Sequence, residues 1–214
     1  MKHVFTPHTL GDLEGLLIKM PKDSEAALAV AINKAAGLTI KESVNRITQK
    51  VTLEPSYVRS RMLVESKATP KNLSSTISAR DRATLTGRFK YSKGDGGYYL
   101  QVNTSGGGLV RRSWRVKSLP KSGGTALVMT AKDALAAAES SGGQMTPARA
   151  AKISRLRAKA AQKQANGRNK IVALYSRSIN QLFTSVREEV DPFVGATLTA
   201  EFIKDFKKRT EGKT

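Results

Sequence analysis

Residues 25–51 read EAALAVAINKAAGLTIKESVNRITQKV. Apolar side chains fall at Leu28, Ala31, Ala35 and Leu38, then at Ile40, Val44, Ile47 and Val51. Steps of three and four residues place these side chains on one stripe of an α-helix, where a strand would alternate in steps of two. Pro21 breaks the pattern before it, and Asp23 or Ser24 is a fitting N-cap. The first half of the stripe is built from small residues, Ala26, Ala27, Ala29, Ala31, Ala35, Ala36 and Gly37. Small side chains let a second helix come close. The stripe therefore reads as helix packing within the chain, with a close interface between copies at Ala31, Ala35 and Leu38 as its functional alternative.

Upstream, Leu10, Leu13, Leu16 and Leu17 predict a short amphipathic helix over residues 9–19. Downstream, Pro55 opens a short helix carrying Tyr57, Val58, Arg61 and Met62. After Ala68-Thr69-Pro70 the period changes. Strands are predicted over 73–79, 83–90, 98–103, 109–117 and 125–130, the first two joined around Arg80-Asp81-Arg82. Glycine clusters at 94–97, 105–108 and 122–124 supply turns. In the strand 109–117, Arg111, Ser113, Arg115 and Lys117 share one face and Val110, Arg112, Trp114 and Val116 the other.

Ser140-Ser141-Gly142-Gly143 reads as a linker, and Thr146-Pro147 as an N-cap with proline at the first helical position. The helix that follows, 147–166, has only Ile153 and Leu156 to bury among alanines and cations, so it is expected to be a basic arm ordered by a partner. A helix is predicted over 171–190, stopped by Asp191-Pro192, and a last one over 193–208 with Leu198, Phe202 and Phe206 spaced by four. The fold class expected is α+β, with N-terminal and C-terminal amphipathic helices packed on a small antiparallel β-sheet and a basic helical arm. Residues 1–133 would hold the N-terminal helices and the strand-rich core, 134–170 the basic linker and arm, and 171–214 a C-terminal helical pair completing the same domain.

The composition narrows function. Among 214 residues there are 37 Lys and Arg against 17 Asp and Glu, a net charge of +20. A charge this large repels itself and calls for a neighbour of opposite sign, such as nucleic acid or acidic protein. There is no cysteine, which excludes disulfides and cysteine-ligated metals. His3 and His8 are the only imidazoles, so histidine acid–base catalysis is not expected. No apolar run is long enough to span a membrane, and the N-terminus lacks the form of a signal peptide. A cytoplasm-like compartment, or a particle assembled there, is the expected setting.

The cations are unevenly placed. No carboxylate occurs from Gly96 to Lys132 or from Ser140 to Arg187. Two stretches stand out as contacts for nucleic acid or an acidic partner: Arg111, Arg112, Arg115 and Lys117 around Trp114, and Arg149, Lys152, Arg155, Arg157, Lys159 and Lys163 of the arm. Neither carries a base-reading motif, so any nucleic-acid contact would be to phosphates and blind to sequence. Ser105-Gly106-Gly107-Gly108 lacks the Gly-Lys-Ser/Thr ending of a phosphate loop and reads as a hairpin tip. Glu188, Glu189 and Asp191 are the densest carboxylates, without a companion histidine. They read as a solvated or subunit-contacting patch, and a basic neighbour would explain negative charge near an expected helix C-terminus. Phe202 and Phe206 join them as expected interface residues. No catalytic, cofactor or metal residue is assigned, and no enzymatic activity is expected.

One arrangement of residues is familiar. Ala31-Ile32-Asn33-Lys34-Ala35-Ala36 lies in the early helix, followed by Ile47-Thr48-Gln49-Lys50-Val51-Thr52 and the basic Tyr57-Val58-Arg59-Ser60-Arg61. A strand-rich middle with glycine-studded basic loops comes next, then Ser178-Ile179-Asn180-Gln181-Leu182-Phe183, a proline break and a final amphipathic helix. This layout resembles the minor tail protein Z family of tailed bacteriophages, proteins of tail completion and head–tail joining. Residues 134–167 depart from that pattern as an insertion. The resemblance implies a structural virion protein of the tail or neck, assembled in the host cytoplasm as a homo-oligomeric ring. Its implied partners are tail tube, terminator, tape-measure or neck subunits, with basic surfaces turned to acidic neighbours or channel DNA and no membrane contact. It transfers no catalytic residue. The residues alone also admit a sequence-independent nucleic-acid-binding protein of architectural or packaging type.

Overall fold

A computed structural model describes residues 2–5, 21–119, 124–141, 144–162 and 170–210. The helix expected over 9–19, His8, Lys121, Lys163 and Arg168 lie outside the described residues. In chain order the elements are β1 (Lys2–Phe5), α1 (Pro21–Lys50), α2 (Pro55–Arg59), β2 (Met62–Ser66), β3 (Ser75–Ala79) and β4 (Ala83–Leu85). A 3-10 turn at Thr86–Arg88 leads into β5 (Lys90–Gly94), β6 (Gly97–Asn103), β7 (Gly106–Arg111), β8 (Trp114–Val116) and β9 (Ala126–Thr130). Then follow α3 (Ala131–Ser140), α4 (Pro147–Ala161), β10 (Ile171–Ala173), β11 (Tyr175–Ser178) and α5 (Ile179–Thr210). The fold is α+β, a long N-terminal helix packed against a long C-terminal helix with several small antiparallel sheets. The chain divides into two compact units: Met1–Lys50, Glu54–Ala83 and Arg177–Thr214 form unit 1, Val51–Leu53 and Thr84–Ser176 unit 2.

In unit 1, α1 and α5 lie side by side. Lys34 Nζ meets Glu201 Oε2 at 2.9 Å and Lys50 pairs with Glu189, so the two helices run antiparallel. Ala27, Leu28, Ala29, Ala31, Ile32 and Ala35 of α1 close around Leu198 and Phe202 of α5. Alanines at the crossing leave the volume that the Phe202 ring fills, with Phe206 stacked on it at 5.6 Å. Toward the other end, Ile40, Val44 and Ile47 of α1 are buried, as are Ile179, Phe183, Val186 and Val190 of α5. Thr39 and Ser43, buried on α1, donate to the carbonyls of Ala35 and Thr39, both at 2.7 Å, so neither hydroxyl is left without a partner. The sheet β1–β3–β2 is antiparallel and its central strand contacts both helices. Asn33 ties the following loop to α1, its amide giving and receiving hydrogen bonds with the Ala68 backbone at 2.9 and 2.8 Å.

Three expectations about the C-terminal part are corrected. Residues 171–173 and 175–178 are strands, Ile171-Val172-Ala173 pairing antiparallel with β9. The helix starts at Ile179, where the Ser178 hydroxyl accepts from Gln181 N–H at 3.1 Å and the Gln181 side chain accepts from Ser178 N–H at 3.0 Å. That reciprocal pair is a capping box. The helix does not stop at Pro192 but runs 32 residues through it. Proline removes one hydrogen bond and crowds the carbonyl four residues back. Here Pro192 is exposed, so the freed carbonyl of Glu188 lies on the solvent side, while Val190 and Leu198 anchor the helix on both flanks of the proline.

Unit 2 contains two antiparallel three-stranded sheets, β5–β6–β7 and β10–β9–β8. The center of the second is β9, whose Ala126-Leu127-Val128-Met129 run is buried throughout. Residues 109–117 are not one strand. Arg112 sits at φ 55°, a left-handed conformation uncommon outside glycine, and its N–H donates to Gly96 O at 2.6 Å. The chain thereby leaves β7 and joins the other sheet as β8, so the alternation predicted across 109–117 loses its phase. Two helices follow β9. Met129, Ala134 and Leu156 form a small core that Val110, Leu135, Ala138, Val172 and Leu174 complete. The basic arm is thus a helical hairpin whose inner residues Ile153 and Leu156 are buried inside this unit.

If the α1–α5 seam is what holds unit 1 together, Phe202→Ala lowers its stability by about 3–5 kcal/mol and Ala31→Leu by about 1–3 kcal/mol in urea unfolding. The loss for Ala31→Leu is expected to be independent of protein concentration, since Ala31 is fully buried within one chain.

Candidate polyanion-binding surface

Charge separates between the units. Unit 2 holds 17 of the 37 basic residues and three of the 17 acidic ones, a net +14, which leaves +6 for unit 1. The three acids are Asp95, Asp133 and Glu139. Two are already committed: Asp133 to Arg112 at 2.9 Å, and Glu139 to Arg157 at 2.8 Å.

The expected contact residues therefore fall into two groups. Arg112, Arg149 and Arg157 work within the chain. Arg149 Nη2 donates to the carbonyls of Ala138, at 3.2 Å, and Ser141, closing the end of α3 against the start of α4. Arg111, Lys117, Lys152, Arg155 and Lys159 are exposed and form no ion pair among the described residues. Arg115 reaches the Tyr91 hydroxyl at 3.3 Å, a hydrogen bond that raises the pKa of its guanidinium. On α4, Lys152, Arg155 and Lys159 follow the spacing i, i+3, i+7, which sets them along one flank of the helix beside the buried Ile153–Leu156 stripe. They span about 10 Å of helix axis. Two buried side chains thus fix the roll of α4 and turn three cations to solvent together.

Trp114 is 37% exposed, paired in register with Val128 at an outer strand of its sheet, and is not a core tryptophan. The glycines at 106–108 belong to β7 and pair with β6. Among the described residues, Gly96 is the only glycine with positive φ, so 106–108 do not form the alternating backbone concavity that holds phosphate.

The expected subunit-interface residues are largely used inside unit 1. Ala31, Ala35 and Phe202 are buried in the seam, which corrects their reading as an intermolecular face, and the half-buried Phe206 packs against it. Leu38 is 37% exposed. Glu189 has its basic neighbour, Lys50 of α1, and Glu188 is exposed. Both carboxylates stand in mid-helix, where the macrodipole does not oppose them.

Asp133 serves two purposes at the start of α3. The Thr130 hydroxyl donates to its carboxylate at 2.6 Å and accepts from its N–H at 3.1 Å. This cap, and after it the hydrogen bond from Arg112, holds the Asp133 carboxyl below the ordinary aspartate range. Among the described residues no group of three His, Asp or Glu lies close enough to hold a metal, and no helix is long and apolar enough to cross a membrane. Comparison with protein-family models, curated proteins and solved structures finds no match.

Sequence reasoning passed over Lys90, Tyr99 and Leu109, which share the outer face of β5–β6–β7. The signal was present in the alternation Tyr98-Tyr99-Leu100-Gln101, which puts Tyr99 and Gln101 on the face opposite Tyr98 and Leu100.

Thr130→Ala is expected to cost about 1 kcal/mol as a lost N-cap. A carboxyl with depressed pKa stabilises the fold above its unfolded value near 4 and loses that contribution as pH falls through the folded value. Asp133→Asn should therefore shrink the drop in urea midpoint between neutral pH and about pH 3 relative to the parent chain.

Proposed function

We propose that this chain is a non-catalytic assembly protein whose second unit is held against a polyanion. Its proposed setting is the head–tail junction of a tailed bacteriophage, as the resemblance of residues 31–36, 47–52, 57–61 and 178–183 suggests. The observation that carries the polyanion partner is the +14 charge of unit 2, with two of its three carboxylates already paired. Such a charge on a folded body is relieved by a neighbour of opposite sign, and the exposed stripe of α4 supplies a fixed array to meet it. In this role the protein acts by binding and charge complementarity. Neighbouring tail or neck subunits, a homo-oligomeric ring and DNA in the channel are the partners the reading contains. Imaging of intact particles tests the setting: density for this chain at the tail–head joint is the expected result, and a chain that never enters particles overturns it.

The same stripe also favours a second reading, a free-standing, sequence-independent nucleic-acid-binding protein of architectural or packaging type. Both readings place phosphates on unit 2. If about six are engaged, the log–log salt slope of duplex binding is near −5. Replacing Lys152, Arg155 and Lys159 together by Gln should bring that slope about 2.7 closer to zero with little change in fold, as followed by titration at several salt concentrations.

A further inference from the structure

The sheet β5–β6–β7 has two unlike faces. Register places Tyr91, Lys93, Tyr98, Leu100 and Val110 on one of them. That face is turned inward: Val110 joins the Met129–Leu156 core, Tyr91 and Tyr98 meet edge to face at 5.9 Å, and Arg115 caps the Tyr91 hydroxyl. The opposite face carries Lys90 beside Gln101, then Ser92, Tyr99 and Leu109 in one row, then Arg111 in the next. Tyr99 and Leu109 are 43% and 42% exposed, large apolar groups side by side on the surface.

Both lie down on the sheet. A Cβ on Gly107 would stand 2.9 Å from Tyr99 Cε1, and a Cβ on Gly94 would stand 3.0 Å from Leu109 Cδ1. The two side chains thus extend over positions kept bare by glycine, where close approach to the backbone is possible. The result is a low apolar platform with a cation at each of two opposite corners. Successive rows are about 7 Å apart along the strands and adjacent strands about 5 Å apart, so Lys90 and Arg111 bracket the platform across roughly 17 Å. Asp95, in the β5–β6 turn, is the one carboxylate in this three-stranded segment.

We propose that this face binds single-stranded nucleic acid, a base stacking on Tyr99 beside Leu109 while the sugar–phosphate backbone passes between Lys90 and Arg111. The proposal rests on the polyanion reading of unit 2 and adds to it the kind of polyanion. An exposed ring over glycine matches a partner that offers flat apolar faces together with regularly spaced negative charge. Duplex DNA keeps its base faces inside the stack and presents phosphates alone. An acidic peptide would satisfy the two cations and leave the platform uncovered.

The test titrates the full chain into a fluorescein-labelled oligothymidylate of about 15 nucleotides and into a duplex of equal length, by anisotropy. Tyr99→Ala is expected to weaken oligothymidylate binding about tenfold, Tyr99→Phe to keep it within about twofold, and neither to alter duplex binding. Lys90→Gln and Arg111→Gln should each flatten the oligothymidylate salt slope by about 0.7. Equal oligothymidylate affinity for parent and Tyr99→Ala, with duplex still bound, overturns the platform and leaves the polyanion reading standing. Tighter binding of polyglutamate than of oligothymidylate overturns the platform in favour of an acidic protein. Absence of binding to either nucleic acid and to polyglutamate at low salt overturns both. Should Tyr99→Ala fail to fold, photo-crosslinking of the parent chain to a bromouracil oligonucleotide decides: an adduct on the Tyr99 peptide supports the platform, and adducts confined to α4 refute it.

Discussion

The close approach of α1 and α5 is the constraint on which unit 1 depends. It is possible because α1 presents Ala27, Ala31 and Ala35 where α5 presents Phe202. A bulky residue on α1 at this crossing would hold the axes apart and leave the ring without neighbours on one side, forfeiting its dispersion contacts. Once the crossing is set, the Lys34–Glu201 and Lys50–Glu189 pairs fall at its two ends and agree with one antiparallel register. These ion pairs are half-exposed and contribute little energy beside the seam. The same crossing explains why Pro192 is carried within a helix: buried residues on either side hold the axis through one missing hydrogen bond.

Unit 2 answers a different problem, that of building a fold around a large excess of positive charge. Its solution is to separate roles among the cations. Arg112 and Arg157 take two of the unit's three carboxylates and Arg149 closes a helical hairpin, so these three are structural. Lys152, Arg155 and Lys159 are left along a helix flank whose roll is set by Ile153 and Leu156. The break at Arg112 has a comparable effect on the strands. By entering the left-handed region there, the chain divides a single predicted strand between two sheets and leaves Trp114 and Arg115 exposed, with Arg115 on the Tyr91 hydroxyl. Functional surface and structural restraint therefore come from the same residue types, and only contacts separate them.

Much of this was legible in local pattern. The three-and-four spacing from Leu28 to Val51 determined α1, its small residues marked it for close packing, and Thr146-Pro147 marked the start of α4. The α+β class followed from helices at both ends of a strand-rich middle. Two further helix starts were also written locally, as Thr130 with Asp133 and as Ser178 with Gln181, but the apolar spacing around them was ambiguous and outweighed these caps. The β-branched pair at 171–172 shows why: an isolated apolar triplet suits either period, and pairing with β9 decides it.

By itself the sequence determined what each segment is able to bury and how much charge the chain must carry, because periodicity and composition are properties of neighbours along the backbone. Only the tertiary structure decided which cations remain available, that Ala31 and Phe202 face each other and not a second copy, and that Pro192 lies inside a helix. Those outcomes depend on partners far away in sequence: Glu139 for Arg157, Asp133 for Arg112, Phe202 for Ala31. A local pattern states a residue's preference, and the contact it finds across the fold determines how that preference is used.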